Sequence, residues 1–183
     1  MPDDGSWIFV GSNGDTFCDG VPDSWIIRLI FYILNNKSNN KFLLQTKNPM
    51  RFDDGILDLE SVKDKVILGT TIETNRGTPW SKAPSTRQRA YYLGLMKLRG
   101  FKTFLSLEPL ADFDFEVLSS WIMSIQPDAI EIGLENYTNF TLKPQEEKII
   151  KLIKWLDEVG FEYVLKDNLK HLENNSLERR VKT

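Results

Sequence analysis

Residues 66–73 read VILGTTIE, an apolar run that passes through glycine and threonine and ends in a carboxylate. Four other short apolar runs also end in polar or acidic residues: IFVGSNGD at 8–15, FLLQTK at 42–47, FLSLEP at 104–109 and AIEIGLEN at 129–136. Because all strands of a parallel α/β fold point the same way, their C-terminal residues gather at one end of the sheet. The sequence therefore predicts that these polar groups converge in space.

Helical patterns separate most of these runs. Four apolar residues between Ile26 and Ile33 stand at i, i+3, i+4 and i+7, the spacing of one buried helical face. Ser85 with Gln88 resembles a capping box, and Gly100 is a typical residue after a helix C-terminus. The pattern predicts two further helices, over about 114–125 and from about 144 to 160, and a short helix between 49 and 65.

The order of these elements predicts the fold class. Residues 161–166 read as a sixth strand, so strand and helix alternate six times, as in a parallel sheet with right-handed crossovers. Six units are fewer than the eight of a closed barrel. We therefore expect an open, partial (β/α)6 TIM-like barrel over residues 1–167, followed by a polar tail at 168–183.

Composition narrows the class of protein. The 183 residues are 41% apolar and 27% charged, with a formal net charge of −3, so nothing in the balance indicates a nucleic-acid partner. No apolar run approaches the length of a membrane span, and the acidic first residues do not resemble a secretion signal, which predicts a cytoplasmic protein. With one cysteine, Cys18, and one histidine, His171, any metal would have to be held by carboxylates.

Four carboxylates follow the predicted strands: Asp15, Glu73, Glu108 and Glu135. Like charges crowded at one rim require a cation, an amine-bearing ligand or raised pKa values. Any one of them alone could be a surface residue, but four strands that end in this way are harder to explain so.

Other polar residues near the strand ends are also candidates for ligand binding. Glu73 and Asn75 follow the third predicted strand, after Thr70 and Thr71, and a Glu or Asn there suits the two hydroxyls of a ribose. Lys47 could bind a phosphate or carboxylate, or be a solvated loop residue. Arg87 and Arg89 lie just inside a predicted helix N-terminus, where cations are mildly disfavoured, which indicates either an anionic ligand or a salt bridge to a carboxylate.

The order and spacing of these motifs resemble a phage, bacterial and archaeal branch of the radical S-adenosylmethionine (SAM) superfamily. The segments that carry the resemblance are 8–17, 21–25, 43–49, 68–73, 104–110 and 132–136, and it covers roughly residues 6–167. In that superfamily a partial six-stranded barrel holds a [4Fe–4S] cluster whose unique iron chelates SAM. The resemblance implies that Ser12, Asn13 and Asp15 lie near the methionine amino group. It further implies Thr71, Glu73 and Asn75 near the ribose, Arg87 near the carboxylate, and Glu108 and Glu135 facing substrate or the adenosyl group.

The chain departs from the family at the cluster. The three cysteines of the family's CxxxCxxC motif follow its first strand, whereas this sequence begins at what resembles the second strand and contains only Cys18. The resemblance therefore implies a fragment of a longer protein, a partner that supplies the missing strand, or a non-catalytic relative. A missing first strand would also leave an exposed sheet edge open to a homodimer or a partner chain.

Two other functions fit the same residues. The four carboxylates could hold Mg²⁺ or Mn²⁺ in a hydrolase or phosphotransferase barrel. Alternatively, the chain could be a non-enzymatic binding or assembly module that keeps the fold without the chemistry.

Overall fold

Six strands and four α-helices alternate in the computed structural model, which describes residues 5–79, 81–135 and 142–172. The elements are β1 (Trp7–Val10), α1 (Asp23–Asn35), β2 (Lys41–Thr46), β3 (Val66–Thr71), α2 (Thr86–Leu98), β4 (Lys102–Leu107), α3 (Phe115–Ile125), β5 (Ala129–Ile132), α4 (Glu146–Val159) and β6 (Tyr163–Leu165). Three 3-10 segments complete them, at Pro49–Asp53, Glu60–Lys65 and Asp167–Leu169.

The strands form one sheet in the order β1-β2-β3-β4-β5-β6, and every neighbouring pair is parallel. The sheet curls into a half-barrel, which confirms the predicted open, partial TIM-like barrel. Because each strand pairs with its neighbour in sequence through a right-handed crossover, the helices all lie on one face of the sheet. The other face is the inner face of the half-barrel.

Burial of apolar side chains between the sheet and the helices stabilises this arrangement. The hydrophobic core consists of two clusters of buried residues. One joins β4, β5 and β6 to α3 and α4, with Leu105, Ile130 and Leu152 fully buried. The second joins β1, β2 and β3 to α1 and the two central 3-10 segments. Helix α2 contributes to both clusters, so it holds the two halves of the half-barrel together.

The predicted helices are present, with local differences. Ser85 and Gln88 form the capping box of α2, and Gly160, with φ of 86°, ends α4. The segment from 49 to 65 forms two 3-10 turns. The apolar residues of α3 differ in burial: Leu118 and Ile122 are buried, whereas Val117 is exposed.

The C-terminal region packs further than its composition indicates. Leu169 and Leu172 belong to the predicted polar tail, yet both are buried in the cluster formed by β4, β5 and β6. The remaining tail, 173–183, lies outside the described residues. Within the described ranges, none of the helices has the length and apolar composition needed to cross a bilayer.

Candidate functional site

The inner face of the half-barrel carries a mixture of apolar and polar side chains. Alternate residues of each strand point to this face, since their neighbours pack against the helices. The pairing register of the strands arranges these side chains in two layers. The lower layer runs from β2 to β5 and contains Gln45, Gly69, Phe104 and Ala129. The layer nearer the strand C-termini runs from β3 to β6 and contains Thr71, Ser106, Glu131 and Val164. A groove of about 610 Å³ runs beside the first residues of β5 and β6 and is lined by Phe104, Glu131 and Val164 together with residues 157 and 161–163, which lie at the end of α4 and the start of β6. The polar layer leads to the rim formed by the strand C-termini.

Asp15 lies at this rim and links β1 to the end of β2. Its Oδ1 accepts a hydrogen bond from the Phe17 N–H at 2.9 Å, and its Oδ2 accepts from the Thr46 hydroxyl at 2.9 Å and the Lys47 N–H at 2.8 Å. The loop that carries Asp15 turns at Gly11, where φ is 85° and a Cβ would lie 2.6 Å from the Gly14 carbonyl oxygen. Three hydrogen bonds to protein groups give Asp15 a clear structural role.

Ser12 and Asn13 lie on the same loop as Asp15, and both are exposed to solvent. The loop is anchored beneath them by Asp15. They are therefore accessible to a ligand placed over the rim.

Glu73 is buried at the end of β3 between two cations. Its side chain is 3% exposed, it pairs with Lys47, and its Oε2 accepts a hydrogen bond from Arg89 Nη1 at 2.8 Å. Arg89 is 0% exposed and also donates from Nε to the Pro84 carbonyl at 2.7 Å and from Nη1 to the Thr71 carbonyl at 3.1 Å. Of the two alternatives predicted for Arg89, the salt bridge to a carboxylate is thus confirmed. These three residues carry a net charge of +1.

Arg87 has a different environment from Arg89. It is exposed and lines an outer groove between α2 and α3, together with Tyr91 and Trp121. The structure thus places the two arginines on different faces of α2, and Arg89 is the one that contacts a rim carboxylate.

Thr71 and Asn75 both form hydrogen bonds within the protein. The Thr71 hydroxyl accepts from Gln45 Nε2 at 3.0 Å on the inner face. Asn75 Nδ2 donates to the Asp114 carbonyl at 2.8 Å, and the Asp114 N–H donates to Asn75 Oδ1 at 2.9 Å. Asn75 therefore fixes the loop after β3 to the N-terminus of α3.

Glu108 belongs to a second charged cluster, on the β4–β6 side of the rim. Lys166 Nζ lies 3.4 Å from Glu108 Oε2 and 3.1 Å from Glu131 Oε2. Burial raises the pKa of Glu108 and the negative charge of Glu131 adds to this, although Lys166 acts in the opposite direction. The hydrogen bond to Glu131 raises the pKa of Lys166. The cluster has one more carboxylate than it has cations.

Gly133 makes room for this cluster. A Cβ there would lie 2.7 Å from Lys166 Cγ and 2.9 Å from Glu108 Oε1. The side chains of Glu108 and Lys166 therefore pack directly over the backbone after β5.

Glu135 follows β5 and is partly buried. It is the last residue described before the gap at 136–141, and the adjacent Asn136 lies outside the described residues.

The contacts at the rim form two separate groups. Lys47 connects Asp15 to Glu73 through its N–H and its ammonium group. Glu108 instead shares Lys166 with Glu131. In the described part of the chain, no group of three or more Asp, Glu, His or Cys side chains could hold a metal ion. Among the described residues, Asp15 and Glu73 therefore do not share a site with Glu108.

Glu131 and Lys166 are functional candidates that the sequence motifs did not single out. Glu131 is the polar residue within the otherwise apolar strand 129–132. The sequence did contain an indication of its position. Glu131 alternates with Ile130 and Ile132, which are buried against the helices, so its side chain must point to the opposite face, into the half-barrel.

Comparison with protein-family models, curated proteins and solved structures finds no match to this chain. The fold and the rim contacts are therefore the basis for a functional proposal.

Proposed function

We propose that this chain is the major part of a radical SAM-type barrel, which binds SAM at the C-terminal ends of its strands. Catalysis would require a cysteine-bearing segment that supplies the [4Fe–4S] cluster. The observation that carries the proposal is the half-barrel of six parallel strands in sequential order, with polar side chains at one rim.

The charges at the rim support SAM as the ligand. SAM carries a sulfonium and an ammonium group against one carboxylate, so it is a net cation. Glu108, Glu131 and Lys166 together carry a net negative charge. The partly exposed ammonium group of Lys47, on the opposite side of the rim, can pair with a carboxylate. These residues fit the charge distribution of SAM.

This chain alone does not provide the cysteine ligands that a [4Fe–4S] cluster needs. Three thiolates are needed, and the sequence offers Cys18. We therefore assign no radical step to the described residues. The proposal also places the protein in the cytoplasm, where a cluster and a free thiol remain reduced.

Calorimetric titration of the folded chain with SAM tests the proposal. We expect SAM to bind saturably. S-adenosylhomocysteine lacks the sulfonium charge, so it should bind at least about tenfold more weakly. A tenfold loss corresponds to about 1.4 kcal/mol of lost ion pairing. Glu108→Gln should weaken SAM binding, whereas Glu116→Gln, an exposed change on α3, should not. No heat at millimolar SAM from a folded protein would refute the proposal.

The edge of the sheet at β1, which has no further neighbour among the described strands, is the expected place for the cysteine-bearing segment or a second copy. Strand β1 pairs with β2 and is the first strand of the sheet, and Trp7 and Phe9 are 65% and 50% exposed on it. An unpaired edge with aromatic side chains favours strand addition. Light scattering over a concentration series should therefore detect a dimer that Phe9→Lys weakens. If the chain stays monomeric at high concentration, self-association through β1 is wrong, and the edge would then be the binding place of a separate cysteine-bearing segment.

A further inference from the structure

An apolar groove lies on the outer surface of the half-barrel, between α2 and α3. Its volume is about 330 Å³, and its wall includes Tyr91, Leu95 and Leu98 of α2 and Trp121 of α3. Every residue in the wall belongs to one of these two helices, and none comes from the strands or from the rim. The groove is therefore separate from the proposed SAM site.

Small and buried residues form the floor of this groove. Gly94 has no side chain, and a Cβ there would lie 3.7 Å from Ile125 Cα, so the two helices approach closely at this point. Ala90 and Ile125 are both buried beside it. Tyr91 and Leu98, by contrast, are 66% and 85% exposed. The groove thus has a solid apolar floor and is bordered by large apolar side chains that are open to a ligand.

The dimensions of the groove suit one small, elongated molecule. Arg87, Tyr91, Gly94 and Leu98 all line it, and their spacing places them along one face of α2. From Arg87 to Leu98 the helix axis advances about 16 Å. The volume lies near the lower limit of small-molecule sites, which have about 300–1,000 Å³. An extended alkyl chain the length of that of dodecanoate matches both measures.

Arg87 gives the groove a positive charge at one end. Of the described residues in the wall it alone is charged, and its side chain is exposed. It pairs with no carboxylate among the described residues, unlike Arg89 on the same helix. A guanidinium can hold a carboxylate by two parallel hydrogen bonds. The wall therefore offers a place for an anionic head group next to an apolar channel.

We propose that this groove binds a single-chain amphiphile with a carboxylate head group, the chemistry of a free fatty acid. The carboxylate pairs with Arg87, and the alkyl chain lies over Gly94 and extends towards Leu98. Binding then removes apolar surface of the chain and of the groove from water. Because the protein as a whole has a net charge of −3, its overall field favours cationic ligands. A preference for the anionic amphiphile therefore reports on the local charge of Arg87.

Calorimetric titrations with dodecanoate, octanoate and dodecyltrimethylammonium, each below its critical micelle concentration and at constant ionic strength, test this site. We expect dodecanoate to bind at least about tenfold more tightly than octanoate, because its longer chain buries more apolar surface. It should also bind about threefold more tightly than the cation, whose chain has the same length, since one exposed ion pair contributes about that factor. Amide NMR spectra locate the binding: dodecanoate should shift the signals of residues 87–98 and 121–125 and not those of the strands.

Variants at exposed positions separate the two parts of the site without disturbing the fold. Arg87→Gln should weaken dodecanoate binding about threefold and remove the preference over the cation. Leu98→Asp places a carboxylate in the groove and should weaken dodecanoate binding by at least about fivefold. Arg28→Gln and Phe31→Asp are the matched controls, because both residues are exposed on α1, away from the groove. Each control should change the affinity by less than about twofold.

Three results overturn the site: no binding of dodecanoate, tighter binding of the cation, or equal losses in the Arg87 and Arg28 variants. Two other occupants of the groove are tested in parallel. If the chain associates with phosphatidylglycerol vesicles but not with free dodecanoate, the groove binds a lipid surface. If dodecanoate does not bind and Leu98→Asp reduces self-association in light scattering, the groove binds a second copy. Either result also overturns the proposal, and none of these outcomes depends on SAM binding.

Discussion

Replacing Glu73 with glutamine should strongly destabilise the fold, because it removes the carboxylate that neutralises a buried guanidinium. Arg89 is 0% exposed and Glu73 3% exposed, so neither charge is well solvated. Removing one partner of a buried ion pair typically costs about 3–5 kcal/mol. Glutamine keeps one oxygen as an acceptor for Arg89, and we therefore expect about 3 kcal/mol, near the lower end of that range.

Urea denaturation followed by circular dichroism at pH 7 measures this change. With a denaturant dependence of about 2 kcal/mol per M urea, a loss of about 3 kcal/mol lowers the midpoint by about 1.5 M. Glu116→Gln is the matched control, because its side chain is 79% exposed in its pair with Lys151, and we expect a change within about 0.5 kcal/mol. The double variant Glu73→Gln with Arg89→Met should recover part of the loss.

Equal midpoints for the Glu73 and Glu116 variants would refute the reasoning. That result would mean that Arg89 is stabilised by its carbonyl partners alone.

Three further predictions concern other parts of the structure. Partial burial would raise the pKa of Asp128, but hydrogen bonds from two lysines and a backbone N–H lower it to about 2. Asp128→Asn should therefore cost about 1–2 kcal/mol above pH 4, as measured by urea denaturation across pH. The difference should shrink as the pH falls from 4 and disappear only below about 2. Gly11→Ala should destabilise by more than Gly20→Ala, since both have positive φ but a Cβ lacks space only at Gly11; equal thermal shifts would contradict this. Lys166→Met should raise the pKa of Glu108 further, because Lys166 lowers it. NMR titration of the carboxyl group measures this change, and an unchanged pKa would show that the pair does not form in solution.

The fold was predictable because its signals are local. The strand runs, the helix starting after Ser85 and the end at Gly160 depend on spacing and capping that are legible in the sequence. The parallel sheet then followed from the alternation of strands and helices. The 3-10 turns at 49–65 did not follow, since short irregular segments are set by the packing around them.

The sequence predicted which polar side chains lie at the rim, but not which of them contact one another. That Asp15 follows β1 and Glu73 follows β3 at the same end of the sheet could be read from the sequence, whereas their connection through Lys47, which follows β2, depends on three-dimensional distance. The separation of Arg87 from Arg89 was available from helical phase, because Arg89 shares the buried face of α2 with Leu93, four residues later. The pKa of Glu108 is raised by burial and by the charge of Glu131, against the effect of Lys166, and no sequence motif indicates these contacts.

The division of the apolar core has a consequence for how the half-barrel can open or grow. Since strands pair only in chain order, the two ends of the sheet are separated by β3 and β4 and rest on different clusters. Either end can detach without breaking the hydrogen bonds of the other, as terminal units do in repeat proteins. A strand docked on β1 would thus rigidify the first βα units, while the charged cluster at β5 and β6 would keep its geometry whether or not that addition is present.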